Sequence, residues 1–240
     1  MENSASKHLV ACVGASIVRG SVSFNFVNLL RDRLEPKGFE FVNAGVNGDL
    51  ACNVLKRIDP IIDLKPDFVV ILVGTNDVIA TTSRSSGIFY KLTKRPPKRP
   101  TLDFYRESLD AIVSNLQQRT SAKIALSSLP ILGEDLSSEP NQKIAKYNNV
   151  IREIAEKYGV TYLPVNELQV QLLRSIQTKP GRAFEGLRLG TRAILRHSLL
   201  GQSFDEISEK NGLLLTIECI HMNTRGGTMI ADHIETFLQS

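Results

Sequence analysis

Ser16, His221 and Glu218 are the side chains in this 240-residue sequence whose types and spacing suit acyl transfer. A serine hydroxyl is a weak nucleophile until an adjacent base takes its proton. Ser16 follows a short apolar run (residues 9–13, LVACV) in the step Gly14-Ala15-Ser16. His221 stands in ECIHMN, just ahead of the last amphipathic stretch, and is the candidate base. A base of this kind needs a partner that fixes its tautomer and stabilises the imidazolium. Glu218, three residues earlier, is the nearest carboxylate; the alternative is a Ser–His dyad with the imidazole held by a backbone carbonyl. The oxyanion formed in acyl transfer needs hydrogen-bond donors. The backbone N–H groups of Ser16 and Gly48 and the side-chain amide of Asn76 are the candidates.

These residues must be positioned by an alternation of short apolar runs and helical stripes. Residues 9–13, 39–43, 68–73, 123–128 and 160–163 read as strands, and the continuous run FVVILV suits a sheet covered on both faces. Helical stripes lie between and after them: Phe26, Leu29, Leu30 and Leu34; Tyr105, Leu109, Ile112, Val113 and Leu116; Ile144, Tyr147, Ile151, Ile154 and Tyr158, stopped by Gly159; and Ile230, Ile234 and Phe237. The alternation implies an α/β fold, a three-layer doubly wound parallel sheet. Ligands of such sheets bind beyond the carboxyl ends of the strands, where Ser16, Gly48 and Asn76 all fall. Two segments break the pattern. Residues 81–100 are polar, then basic and proline-rich, and read as a loop. Residues 172–216 read as a helical insertion or lid. Within it, 186–200 suits a helix presenting Arg188, Arg192 and Arg196 on one side, and Ser203 with Glu206 forms a capping box for a second helix ended by Gly212.

Four blocks in this order resemble those of the SGNH (GDSL-type) hydrolases: GASIVRG with the serine, NAGVNGDLA with the glycine, VGTND with the asparagine, and ECIHMNTRG with the histidine. The segments LPILGE and YNNVIREIAEKYGVTYLPV are similar to the family too. The resemblance implies a flavodoxin-like strand order 2-1-3-4-5 and a serine hydrolase cleaving a carboxylic ester or thioester through an acyl-serine intermediate. An acyltransferase using the same residues, or a non-catalytic binding protein on this fold, are the alternatives. The sequence departs from the family at Ala15, where an aspartate is usual, and at Glu218, where the triad acid is usually aspartate. The G-x-S-x-G elbow of the α/β-hydrolases is absent around Ser16.

The bulk composition is that of a globular chain. With 42% hydrophobic and 22% charged residues, global disorder is not expected. The formal charge of +4 does not by itself imply nucleic acid, although 203–213 faintly resembles the start of a helix-turn-helix. Three cysteines without ligand spacing argue against a disulfide framework or a metal site. No cofactor is expected. The expected partner is a small acyl ester, with no nucleic acid and no membrane-spanning segment; the polar start of the chain suggests a cytoplasmic protein forming one domain over residues 1–240. The Arg188–Arg192–Arg196 stripe and the basic run 91–99 are candidates for holding an anionic group or substrate, or are solvated faces. Asp77 reads as a structural cap for the segment after it, Cys219 as a small buried hydrophobe, and His8, His197 and His233 as structural or exposed.

Overall fold

The computed structural model describes residues 7–186 and 201–240. Five strands, β1 (His8–Gly14), β2 (Phe39–Gly45), β3 (Phe68–Leu72), β4 (Lys123–Ser127) and β5 (Thr161–Leu163), form one sheet in the order β2-β1-β3-β4-β5, and every neighbouring pair is parallel. This is the three-layer α/β fold and the 2-1-3-4-5 order expected from the sequence.

The alternation of side chains along each strand divides the core in two. Val10, Cys12, Phe68, Val70, Leu72 and Ala125 face one side, where α2 (Phe26–Leu34) and the closing helix α11 (Thr224–Leu238) cover them. Ala11, Val13, Val69, Ile71, Ile124 and Leu126 face the other, beneath α3 (Ala51–Lys56), α7 (Leu102–Arg119) and α8 (Glu139–Tyr158). Fully burying one such side chain contributes roughly 1.5–3 kcal/mol. Both faces therefore anchor the sheet, and its carboxyl edge is left for loops. The remaining helices are α1 (Ser16–Arg19), α4 (Asp59–Asp63), α5 (Thr75–Thr82), α6 (Arg84–Lys94), α9 (Val165–Ile176) and α10 (Phe204–Lys210). None of the described helices is long and apolar enough to cross a membrane.

Several sequence signals are realised. Gly159 ends α8 with φ 62°. The Ser203–Glu206 capping box opens α10, with the Glu206 N–H donating to Ser203 Oγ at 3.2 Å, and Gly212 follows at φ 67°. The segment 81–100 is a correction: most of it is helical. Thr81 and Thr82 finish α5, and Ser83 accepts the Ser86 N–H at 3.1 Å to start α6. Apart from the extended cap residue Ser83, only the stretch after Lys94 is irregular. The start of the 172–216 segment is likewise not a break, since α9 runs through Leu172 to Ile176. The helix expected at 186–200, with Arg188, Arg192, Arg196 and His197 in it, lies outside the described residues except for Gly186.

Candidate active site

The loop after β1 begins with a close approach. A Cβ on Gly14 would sit 2.1 Å from the Leu72 carbonyl oxygen, so only glycine lets β1 reach its end against β3. The chain then enters α1, whose first residue is Ser16, and Gly20 closes the turn at φ 72°. Ser16 Oγ lies 2.9 Å from His221 Nε2. On the other side of the ring, His221 Nδ1 meets Glu218 Oε1, which also accepts the His221 backbone N–H at 3.3 Å. A nitrogen facing a carboxylate carries the proton, leaving Nε2 free to accept from the serine. Glu218 is 2% exposed. Between the two residues the chain turns at Cys219, which holds φ 73°. A left-handed non-glycine residue is costly and persists only where its surroundings fix it. Cys219 is fully buried, and burial pushes its thiol up to about 12, so it stays protonated and packs as a small apolar group.

The strap leading to Glu218 is fixed by a residue the sequence reading did not single out. Glu134, 1% exposed, directs its carboxylate at the backbone of residues 214–216. It accepts the N–H groups of Leu214, Leu215 and Thr216 at 2.8–3.0 Å and the Thr216 hydroxyl at 3.1 Å. The neighbouring Gly133 N–H donates to the Cys219 carbonyl at 2.8 Å. The segment LPILGE after β4 thus holds the strap and the left-handed turn together.

Gly48 and Asn76 come to the same edge. Gly48 holds φ 78°, and a Cβ there would lie 2.7 Å from Lys94 Cε. Lys94 Nζ donates to the Asn47 carbonyl and lies 3.1 Å from Asp49 Oδ1, while Arg57 Nε lies 2.9 Å from Asp49 Oδ2. Arg57 also donates to the carbonyls of Ala44 and Gly14, both at 2.9 Å. The buried Asp49 is therefore clamped by two cations, and the loop carrying Gly48 is held by α3 and α6. Asn76, second in α5, donates from Nδ2 to the Asp49 carbonyl at 2.9 Å and accepts from the Tyr90 hydroxyl at 2.7 Å. Asp77 is structural as expected but caps a different element: it accepts the Ala51 N–H at the start of the earlier helix α3. Burial raises its carboxyl to about 7, and the Ala51 N–H opposes that rise.

The space beside Ser16 is small. Ala15, Ile17, Leu72, Gly74, Thr75 and Ile220 line a cavity of about 10 Å³, about the room one water needs. A far larger cleft, about 930 Å³, opens between the end of α5, α6 and the proline-rich stretch, with Arg84, Lys91, Lys98 and Arg99 on its walls. Neither Ser16 nor His221 lines it, so this cleft is separate from the chemistry. Of the basic run, Lys94 is turned inward onto Asp49 rather than solvated.

The family profile described as the GDSL-like Lipase/Acylhydrolase family matches residues 12–226. No curated protein sequence matches the chain. Among solved structures, the acetyl xylan esterase AlAXEase is similar with a TM-score of 0.69 at 20% identity, covering 96% of this chain and 99% of that one. Axe2, an acetylxylan esterase from Geobacillus stearothermophilus, is similar with a TM-score of 0.66 at 16% identity, covering 97% and 94%. Variants of Axe2 described as catalytic mutants replace a serine, and an aspartate and a histidine three residues apart. LAE5, an alpha/beta hydrolase enzyme from the metagenome of Lake Arreo, is similar with a TM-score of 0.66 at 17% identity, covering 97% and 95%. At these identities the likeness is one of fold. With the profile spanning all four sequence blocks and the blocks gathered at one edge of a five-stranded parallel sheet, the chain belongs to the GDSL-like lipase/acylhydrolase family and is a carboxylic ester hydrolase.

Proposed function

We propose that the chain hydrolyses small acyl esters, acetyl esters above all, through an acyl enzyme formed on Ser16. The observation that carries this reading is the single imidazole bridging both partners: His221 Nε2 at 2.9 Å from Ser16 Oγ, and His221 Nδ1 against the buried Glu218 carboxylate. Ser16 Oγ attacks the carbonyl carbon as its proton passes to His221 Nε2. The Glu218 carboxylate stabilises the imidazolium. The oxyanion is met by the N–H groups of Ser16 and Gly48 and by the second hydrogen of the Asn76 amide, the first being given to Asp49. Collapse of the tetrahedral species breaks the bond to the leaving alkoxide, which takes the proton back from Nε2. A water activated by His221 then hydrolyses the acyl-serine by the same steps in reverse order.

The preference for a short acyl group rests on the small cavity beside Ser16. It agrees with the acetyl substrates named for two of the similar structures. A methyl group fills such a space; each further methylene must displace Ile17, Leu72 or Ile220, and overpacking of that kind costs roughly 1–3 kcal/mol. In a series of 4-nitrophenyl acetate, butyrate and octanoate, kcat/KM is expected to fall at least about tenfold from acetate to octanoate. A flat or rising series rejects the small acyl site.

A further inference from the structure

We propose that Tyr90, carried by α6, is a positioning residue for the oxyanion donor Asn76, fixing which end of the amide faces the reacting carbonyl and strengthening its N–H. This rests on the reading of Asn76 given above. The primary amide has two donors on nitrogen and an acceptor oxygen, and a flip exchanges them. Two contacts oppose the flip. The Asp49 carbonyl, a pure acceptor, lies 2.9 Å from Nδ2, and a flipped amide would turn oxygen against oxygen there. The Tyr90 hydroxyl donates to Oδ1 at 2.7 Å. Tyr90 and Asn76 are 2% and 6% exposed, so both bonds are made in the interior. A hydrogen bond accepted at the amide oxygen also polarises the group and makes its N–H a better donor. That effect grows as negative charge develops on the substrate, so it acts on the transition state more than on the bound ester.

Tyr90 is suited to this role in two further ways. Burial, with the charge of Asp77 nearby, holds its phenol well above the ordinary value, so it remains a donor throughout the working pH range. Its helix is tied to the rest of the same edge. The Lys94 carbonyl accepts from Asn53 Nδ2 at 3.0 Å, and Lys94 Nζ reaches Asp49. One helix thus carries the side chains that hold both the Gly48 loop and the Asn76 amide.

The test is a double-mutant cycle on 4-nitrophenyl acetate hydrolysis with Tyr90→Phe, Asn76→Ala and the pair, each checked for folding by its thermal melt. Tyr90→Phe is expected to lower kcat on the order of tenfold with KM within about twofold, a fraction of the roughly 10²–10³ lost when an oxyanion donor is removed outright. In the Asn76→Ala background it is expected to change kcat by less than about twofold, because its route to the reaction is gone. 3,5-Difluorotyrosine at position 90 keeps the ring and a stronger hydroxyl donor, and is expected to recover the kcat that phenylalanine loses. It decides the matter too if Tyr90→Phe melts too low to assay: a tenfold fall in the folded fluorinated protein overturns the proposal. So does a KM rise with kcat held in Tyr90→Phe, or a loss that multiplies fully onto Asn76→Ala. If Asn76→Ala itself leaves kcat unchanged, the oxyanion reading fails with it; a deep Asn76→Ala loss beside an unaffected Tyr90→Phe overturns the role of Tyr90 alone.

Discussion

At the residue scale the sharpest question is the carboxylate. Glu218 replaces the aspartate usual in its sequence block, and its longer side chain reaches His221 across a turn made by Cys219 in the left-handed region. Removing its charge while keeping its shape isolates the role. Glu218→Gln is expected to lower kcat at neutral pH by about 10⁴, the magnitude seen when a triad aspartate becomes its amide, and Glu218→Asp to recover part of it. Steady-state kinetics distinguish this from a dyad, for which Glu218→Gln costs only a few-fold. Ser16, Gly48, Asn76 and His221 could be named as candidates from the sequence because the first three lie just after a strand and the fourth in a recognisable block. Tyr90, Lys94 and Glu134 were not. Each acts on backbone or side chains 14 to 82 positions away, and nothing local to a tyrosine or a glutamate announces such a bond.

At the element scale, the sheet and its covering helices followed from periodicity because their apolar stripes face a packed core. Helix α6 did not. Its large apolar residues Ile88, Phe89 and Leu92 are 49%, 47% and 69% exposed, and only Tyr90 is a large side chain turned fully inward. The stripe that marks a core helix is therefore missing, and the basic, proline-rich run after Lys94 made the whole stretch read as loop. The strap before Glu218 was illegible for a related reason: it has no repeating pattern, and three of its N–H groups are taken by a carboxylate about 80 positions away. Replacing that carboxylate tests the strap. Glu134→Ala leaves three N–H groups and a hydroxyl to find partners in the interior, and is expected to destabilise the fold by roughly 2–4 kcal/mol. It is also expected to lower kcat more than KM, since Glu218 and His221 lose their support. Urea unfolding and steady-state kinetics read the two effects; an unchanged midpoint would mean that the strap is held by other contacts, such as the Ile217 N–H to His221 carbonyl bond at 2.8 Å.

At the scale of the whole molecule, a parallel sheet buried on both faces leaves one edge for chemistry, and every candidate block reaches it: β1 delivers Ser16, β2 the Gly48 loop, β3 Asn76, and the segment after β4 pins the strap bearing Glu218 and His221. The parallel sheet and the gathering of the blocks were readable in advance because both follow from alternation and chain order, while the strand order 2-1-3-4-5 was implied by the resemblance to the family. The small cavity beside Ser16 and the separate basic cleft were not, since cavity size depends on side chains brought together from distant parts of the chain. The central claim is that Ser16 is the group that becomes acylated. Labelling the folded protein with a fluorophosphonate and locating the adduct by peptide mass spectrometry tests it most directly, because only an activated hydroxyl reacts quickly. The expected result is one rapid adduct on Ser16 that disappears, together with ester hydrolysis, in Ser16→Ala. An adduct on a different serine, or undiminished hydrolysis by Ser16→Ala, would contradict it.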